Sequence, residues 1–87
     1  MTITVLTQPN CAACRWVTKS LDAEGLPYEL RDVRDDPSAE DLLVGIYQRL
    51  RPGMHPATPV TILGDEGVVF GPDIRSRLRE LRQDTAA

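Results

Sequence analysis

Thr7-Gln8-Pro9-Asn10-Cys11-Ala12-Ala13-Cys14-Arg15-Trp16 holds both cysteines of the chain, directly after the apolar run Ile3-Thr4-Val5-Leu6 and directly before a segment with helical periodicity. Strand, tight turn, then Cys-x-x-Cys at a helix N-terminus is the order expected of a dithiol redox site. Thiol–disulfide exchange needs a thiolate, and a free cysteine, with a pKa of about 8.5, is mostly protonated at neutral pH. The first N–H groups of a helix lack intrahelical partners and its macrodipole is positive there, so a sulfur anion at Cys11 is stabilised. Cys14 lies on the same helical face, within reach of a mixed disulfide formed at Cys11. These positions make Cys11 the nucleophile and Cys14 the resolving thiol. Pro9 cannot donate to a ladder, so it ends the strand and turns the chain ahead of the cysteines.

The same spacing is also half of a tetrahedral zinc site, which normally takes four ligands. With two cysteines and one histidine, His55, in the chain, a closed site needs carboxylates or a second subunit. Redox chemistry is therefore the favoured reading, with no metal and no bound cofactor. A metal or iron–sulfur centre shared across a dimer is the alternative, and a non-enzymatic adaptor a further one.

Eighty-seven residues, 41% of them hydrophobic, suit one small domain over residues 1–87. The start Met1-Thr2-Ile3-Thr4 has no basic region or long apolar stretch, and no window approaches membrane-spanning length. A cytoplasmic, monomeric protein with no membrane partner is expected. In a reducing compartment a cysteine pair is more often catalytic or metal-binding than structural, and a loop closed between such near neighbours is a weak staple. A net charge of −3 argues against nucleic acid, which demands a basic face. Charge is nevertheless segregated: Asp32, Asp35, Asp36, Glu40 and Asp41 crowd the middle, whereas Arg75, Arg77, Arg79 and Arg82 crowd the last helix. Two solvated surfaces account for this; a sharper reading makes the arginines a docking patch for an acidic partner.

Working outward, Ile3 to Leu6 reads as a buried strand. A helix from Cys11 to Glu24 turns Ala13, Val17 and Leu21 to the sheet, with Gly25 as its C′ residue and Pro27 preventing continuation. Trp16 either packs at the helix edge or borders the site. Tyr28 to Val33 reads as a second strand with Tyr28 and Leu30 on one face, completing a right-handed βαβ unit. The next helix is capped either by Asp36, with Pro37 at N1, or by Ser38. Its stripe is Leu42, Leu43, Ile46, Tyr47 and Leu50, and Pro52-Gly53 breaks it. Val60 to Leu63 and Val68 to Phe70 form a hairpin about Gly64-Asp65-Glu66-Gly67. Gly71-Pro72-Asp73 opens a last helix that buries Ile74, Leu78 and Leu81 and frays after about residue 83. The order β-α-β-α-β-β-α predicts an α/β domain with a four-stranded mixed sheet and helices on both faces.

This order, with Cys11-x-x-Cys14 opening the first helix and Thr58-Pro59-Val60 leading into the third strand, resembles the thioredoxin fold and, within it, the glutaredoxin branch, including NrdH-type redoxins. The start Ile3 to Cys11, the stretch Leu21 to Glu29 and the segment Arg77 to Leu81 are similar to that branch. The resemblance implies a cis Pro59 that places the Thr58 backbone beside Cys11 for pairing with a substrate strand. It also implies reduction of a disulfide-bearing protein, ribonucleotide reductase being the NrdH-type case. Electrons would come from NADPH through thioredoxin reductase, or from glutathione, at a potential of about −200 to −270 mV. Ala12-Ala13 replaces the Pro-Tyr usual in glutathione-using relatives, and Gln8 replaces a common lysine. Arg15 is expected to be a solvated first-turn residue or to meet a glutathione carboxylate. Gly71 and Asp73 are similar to the glycine and aspartate that hold the glutathione amine, and His55 lies in the loop ahead of Pro59, as an exposed residue or a proton shuttle.

Overall fold

The computed structural model describes residues 2–86. In chain order the elements are β1 (Ile3–Thr7), α1 (Ala12–Ala23), β2 (Glu29–Asp32), α2 (Pro37–Leu50), β3 (Val60–Leu63), a short 3₁₀ turn (Gly64–Glu66), β4 (Val68–Phe70) and α3 (Ile74–Ala86). The sheet runs β2-β1-β3-β4, with β1 parallel to β2 and antiparallel to β3, and β3 antiparallel to β4. Element order and mixed topology are those expected from the sequence.

Strand side chains alternate between two faces, and the chain uses both. Ile3, Val5 and Leu63 point to one side, where Val17 and Leu21 of α1 and Ile74 and Leu78 of α3 cover them. Leu6 and Val60 point to the other, against Ala39, Leu43, Ile46 and Tyr47 of α2. Thus α1 and α3 share one face and α2 takes the opposite one.

Each helix is ended by local chemistry. The chain leaves α1 through a Schellman motif: Gly25 is left-handed (φ 68°), its N–H bonds the Asp22 carbonyl, and the Leu26 N–H reaches the Leu21 carbonyl. The choice of cap for α2 is settled in favour of Asp36, whose carboxylate accepts from the N–H groups of Ser38 and Ala39, with Pro37 at N1. Past Leu50 the chain is pinned by the Tyr47 hydroxyl, which donates to the Ala57 carbonyl (3.2 Å), and by Tyr47 meeting Phe70 edge-on at 5.2 Å.

Three details differ from expectation. Leu50 is 57% exposed, because the last turn of α2 runs past the sheet, and Ala39 takes a place in the stripe instead. Leu30 is exposed because β2 is an edge strand, shorter than expected, and Leu30 opens onto its free edge. The backbone of α3 is helical to Ala86; the expectation of fraying beyond residue 83 concerns a segment whose side chains and last residue lie outside the described residues.

Of the four arginines in α3, two are used to hold the fold. Arg77 donates to the Glu66 carbonyl and to Glu80, clamping the 3₁₀ turn, and Arg82 pairs with Glu24 at the far end of α1.

Candidate functional site

At the end of β1 the chain must reverse to start α1, and Asn10 does this in the left-handed region (φ 60°), which asparagine tolerates better than most side chains. Cys11 follows as the N-cap in extended geometry (φ −104°, ψ 101°). Its Sγ accepts the Cys14 backbone N–H at 3.1 Å, one of the donors that the first turn leaves without a partner. No acidic residue lies in this first turn, so nothing competes for the positive end of the macrodipole.

The two sulfurs are joined in the structure as a disulfide, with Cα atoms 5.2 Å apart. The pair is asymmetric: Cys11 is half-exposed, whereas Cys14 is 3% exposed beneath it. An incoming reagent therefore meets Cys11 first.

From the other side of the sheet end, Thr58 approaches. The Thr58–Pro59 bond is cis, and the Thr58 hydroxyl donates to Cys11 Sγ at 3.7 Å across 47 residues of sequence. Pro59 is buried, and its carbonyl accepts the Gly71 N–H at 3.0 Å, so the cis loop and the start of α3 are fastened together. Gln8, Asn10, Cys11, Cys14 and Arg15, with Thr18 and Leu30, line an open hollow of about 170 Å³. Gln8 and Thr58 also border a larger groove of about 560 Å³ on the α2 side, together with His55.

The residues singled out in the sequence thus fall into three groups. Cys11, Cys14, Gln8 and Arg15 meet at the hollow, and Thr58 touches the reactive sulfur. Gly71 stands behind Pro59. Asp73 is occupied as the cap of α3, its carboxylate accepting from the Ser76 N–H and hydroxyl. His55 is exposed on the rim of the groove, with no contact to Cys11 among the described residues. Trp16 does not line the hollow; it is 49% exposed, with the Arg75 guanidinium 5.1 Å from its ring centre. Sequence reading missed the Thr58 hydroxyl, the left-handed Asn10 and the wall formed by Thr18 and Leu30; of these only Asn10, a residue suited to positive φ beside a proline turn, carried a local signal.

Among the described residues no three His, Cys, Asp or Glu side chains gather as a metal site, and no helix is long and apolar enough to cross a membrane.

A cysteine pair at a helix start, with one sulfur open and one covered and a cis-proline loop alongside, defines a dithiol oxidoreductase of the thioredoxin fold. The glutaredoxin family model matches residues 3–68, and the chain belongs to that family. The thioredoxin-like protein BC3987 is similar over 91% of this chain and 97% of its own, at 33% identity and a TM-score of 0.73. NrdH-redoxin from Escherichia coli, described as glutaredoxin-like with a thioredoxin-like activity profile, is 28% identical over 90% of this chain and 95% of its own, with a TM-score of 0.70. The glutaredoxin from Methanosarcina mazei Go1 shares the fold at 21% identity, over 91% of this chain and 75% of its own, with a TM-score of 0.71. No curated protein matches the chain. The protein is a thiol–disulfide oxidoreductase.

Proposed function

We propose that the protein reduces disulfides in other proteins, and that its own Cys11–Cys14 disulfide is re-reduced by NADPH through thioredoxin reductase rather than by glutathione. The observation that carries this reading is the asymmetry of the pair: Cys11 is open and solvated by the Cys14 N–H and the Thr58 hydroxyl, and Cys14 is covered.

The Cys11 thiolate attacks one sulfur of the substrate disulfide in line, forming a mixed disulfide and expelling the other substrate sulfur as a thiolate. Cys14 then loses its proton and attacks Cys11 Sγ. The Cys11–Cys14 bond forms, the substrate leaves fully reduced, and two electrons have passed to it. The Cys14 N–H and the Thr58 hydroxyl stabilise the anion at Cys11 before attack, which is where such donors raise the rate. The Thr58 backbone, beside Cys11, is suited to pair with the substrate strand, as the resemblance implies.

The choice of donor rests on the residues between the cysteines. Ala12 and Ala13 give glutathione no aromatic wall, Gln8 gives its carboxylates no charge, and Asp73 is engaged by Ser76. The thioredoxin-like profile stated for the similar E. coli redoxin points the same way. The resemblance to NrdH-type redoxins makes ribonucleotide reductase the candidate substrate, and a reducing compartment such as the cytoplasm the place of action of a monomer.

NADPH oxidation with a protein disulfide as acceptor tests the reading, comparing thioredoxin reductase with glutathione plus glutathione reductase as the feed. Turnover is expected with the first. Turnover with glutathione alone would overturn the donor assignment and promote Arg15, Thr58, Gly71 and Asp73 to glutathione-binding residues.

A further inference from the structure

We infer that the face formed by α1 and the start of α3 beside the dithiol is a docking surface for an acidic segment of the protein substrate, with Trp16 stacked on Arg75 as its anchor. This rests on the disulfide-reductase reading above and goes beyond it by naming what the substrate presents.

Charge is the first observation. Arg15, Lys19, Arg75 and Arg79 are exposed and make no ion pair among the described residues. Of the acids nearby, Glu24 and Glu80 are paired with Arg82 and Arg77, whereas Asp22 and Asp73 accept from the neutral hydroxyls of Tyr28 and Ser76 and keep their charge. Four unpaired cations against these two acids leave a cationic excess on α1 and α3 of a protein whose net charge is −3, while Asp35, Glu40 and Asp41 sit by α2 on the opposite side of the sheet.

The second observation is the aromatic. Trp16 leaves half its surface in water, and the guanidinium of Arg75 lies over its ring at 5.1 Å. An exposed indole held by a cation in this way is already ordered before anything binds, so docking on it forfeits little side-chain entropy. Trp and Arg are also the residue types that most often dominate binding energy at interfaces.

Geometry supplies the occupant. In-line attack requires the substrate disulfide to sit on Cys11 Sγ, and the chain carrying it must then cover what surrounds that end of α1. Trp16 is five residues past Cys11, about 7.5 Å along the helix axis. An extended segment rising about 3.3 Å per residue spans that distance in two to four residues. Glutamate or aspartate at those positions from the attacked cysteine reaches Arg75, Arg15 and Lys19 while its backbone crosses the indole.

Two cystine peptides test this, identical except for glutamates or lysines three and four residues from the cysteine, with 2-hydroxyethyl disulfide as an uncharged control and pre-reduced protein as the reductant. The acidic peptide is expected to be reduced about tenfold faster than the basic one at low salt, the difference vanishing near 0.5 M salt. Arg75→Ala should reduce that preference severalfold and Trp16→Ala should slow both peptides, neither changing the control rate. Arg75→Glu should shrink it further than Arg75→Ala does, which a merely structural role for Arg75 would not do. Because Trp16 is the sole tryptophan, its fluorescence reports docking directly. Equal rates for the two wild-type reactions, or a preference left unchanged by both Arg75 substitutions, would overturn the docking surface while leaving the reductase reading intact. Loss of control reduction in the wild type would instead overturn the reductase reading.

Discussion

Two helix starts in this molecule have nearly the same backbone and opposite uses. Cys11 caps α1 at φ −104°, ψ 101°, and Asp36 caps α2 at φ −118°, ψ 100°. Each accepts N–H groups from the first turn. At α2 the acceptor is a permanent anion, reinforced by Pro37, by Glu40 in the first turn and by Arg31, which binds Asp36 at 3.1 Å. At α1 the acceptor is a sulfur that can be bonded, protonated or ionised, and no carboxylate shares its first turn. The positive end of α2 is used up in holding the helix, whereas that of α1 remains available to a thiolate. One capping geometry thus serves stability at one site and reactivity at the other.

Exchanging the caps separates the two uses most sharply. Serine is a strong N-cap residue, so Cys11→Ser is expected to abolish disulfide reduction while leaving the melting temperature of the reduced protein unchanged or higher. Stopped turnover combined with a collapsed fold would break the comparison. Next in size, Cys14→Ala removes only the resolving step; a stable mixed disulfide with substrate should accumulate, detectable as a mass increase that dithiothreitol reverses. A smaller effect is expected from Thr58→Val, which deletes the hydroxyl donor to Cys11 Sγ. A loss of about 1 kcal/mol in anion stabilisation lowers the thiolate fraction about fivefold, and because the more basic thiolate is also the better nucleophile, alkylation of Cys11 by iodoacetamide should be about two- to threefold slower. An unchanged alkylation rate would remove Thr58 from the account of reactivity and leave the Cys14 N–H and the helix start to carry it.

The same contrast explains what could be read in advance. The elements were legible because β-branched runs, helical stripes, Gly25 and Pro52-Gly53 mark them locally, and the Cys11–Cys14 spacing on a helix start is itself a local signal. Leu50 and Leu30 misled because periodicity says which side a residue faces, not whether another element lies there; α2 overruns the sheet at Leu50, and Leu30 sits on an edge strand. The cap of α2 could not be chosen between Asp36 and Ser38, since each has suitable chemistry. In the structure Asp36 takes the Ser38 and Ala39 N–H groups, and Arg31 of the neighbouring strand holds both side chains in place, a contact outside the reach of local sequence. The Thr58 hydroxyl was invisible for a similar reason: its contact with Cys11 joins the end of β1 to the start of β3, neighbours in the sheet that lie 47 residues apart in the chain.

The smallest effect concerns the cap that does no chemistry. Hydrogen bonds from Ser38, then those from Arg31, hold the Asp36 carboxyl down to about 2, below the usual carboxylate range. A group whose folded value is depressed adds stability above its unfolded value, near 3.9, and loses it as pH falls through the folded one. Asp36→Ala should therefore lower the melting temperature at neutral pH, and the gap from the wild type should close as pH drops from about 5 toward 2. In the oxidised protein Cys11 does not titrate, so the cap of α1 adds no such dependence, and the difference between wild type and Asp36→Ala along the acid branch reports the cap of α2. Activity against 2-hydroxyethyl disulfide at neutral pH should be unaffected. A gap that persists at pH 2 would mean that Asp36 acts through packing rather than charge, and the two helix starts would then differ in more than their acceptor atom.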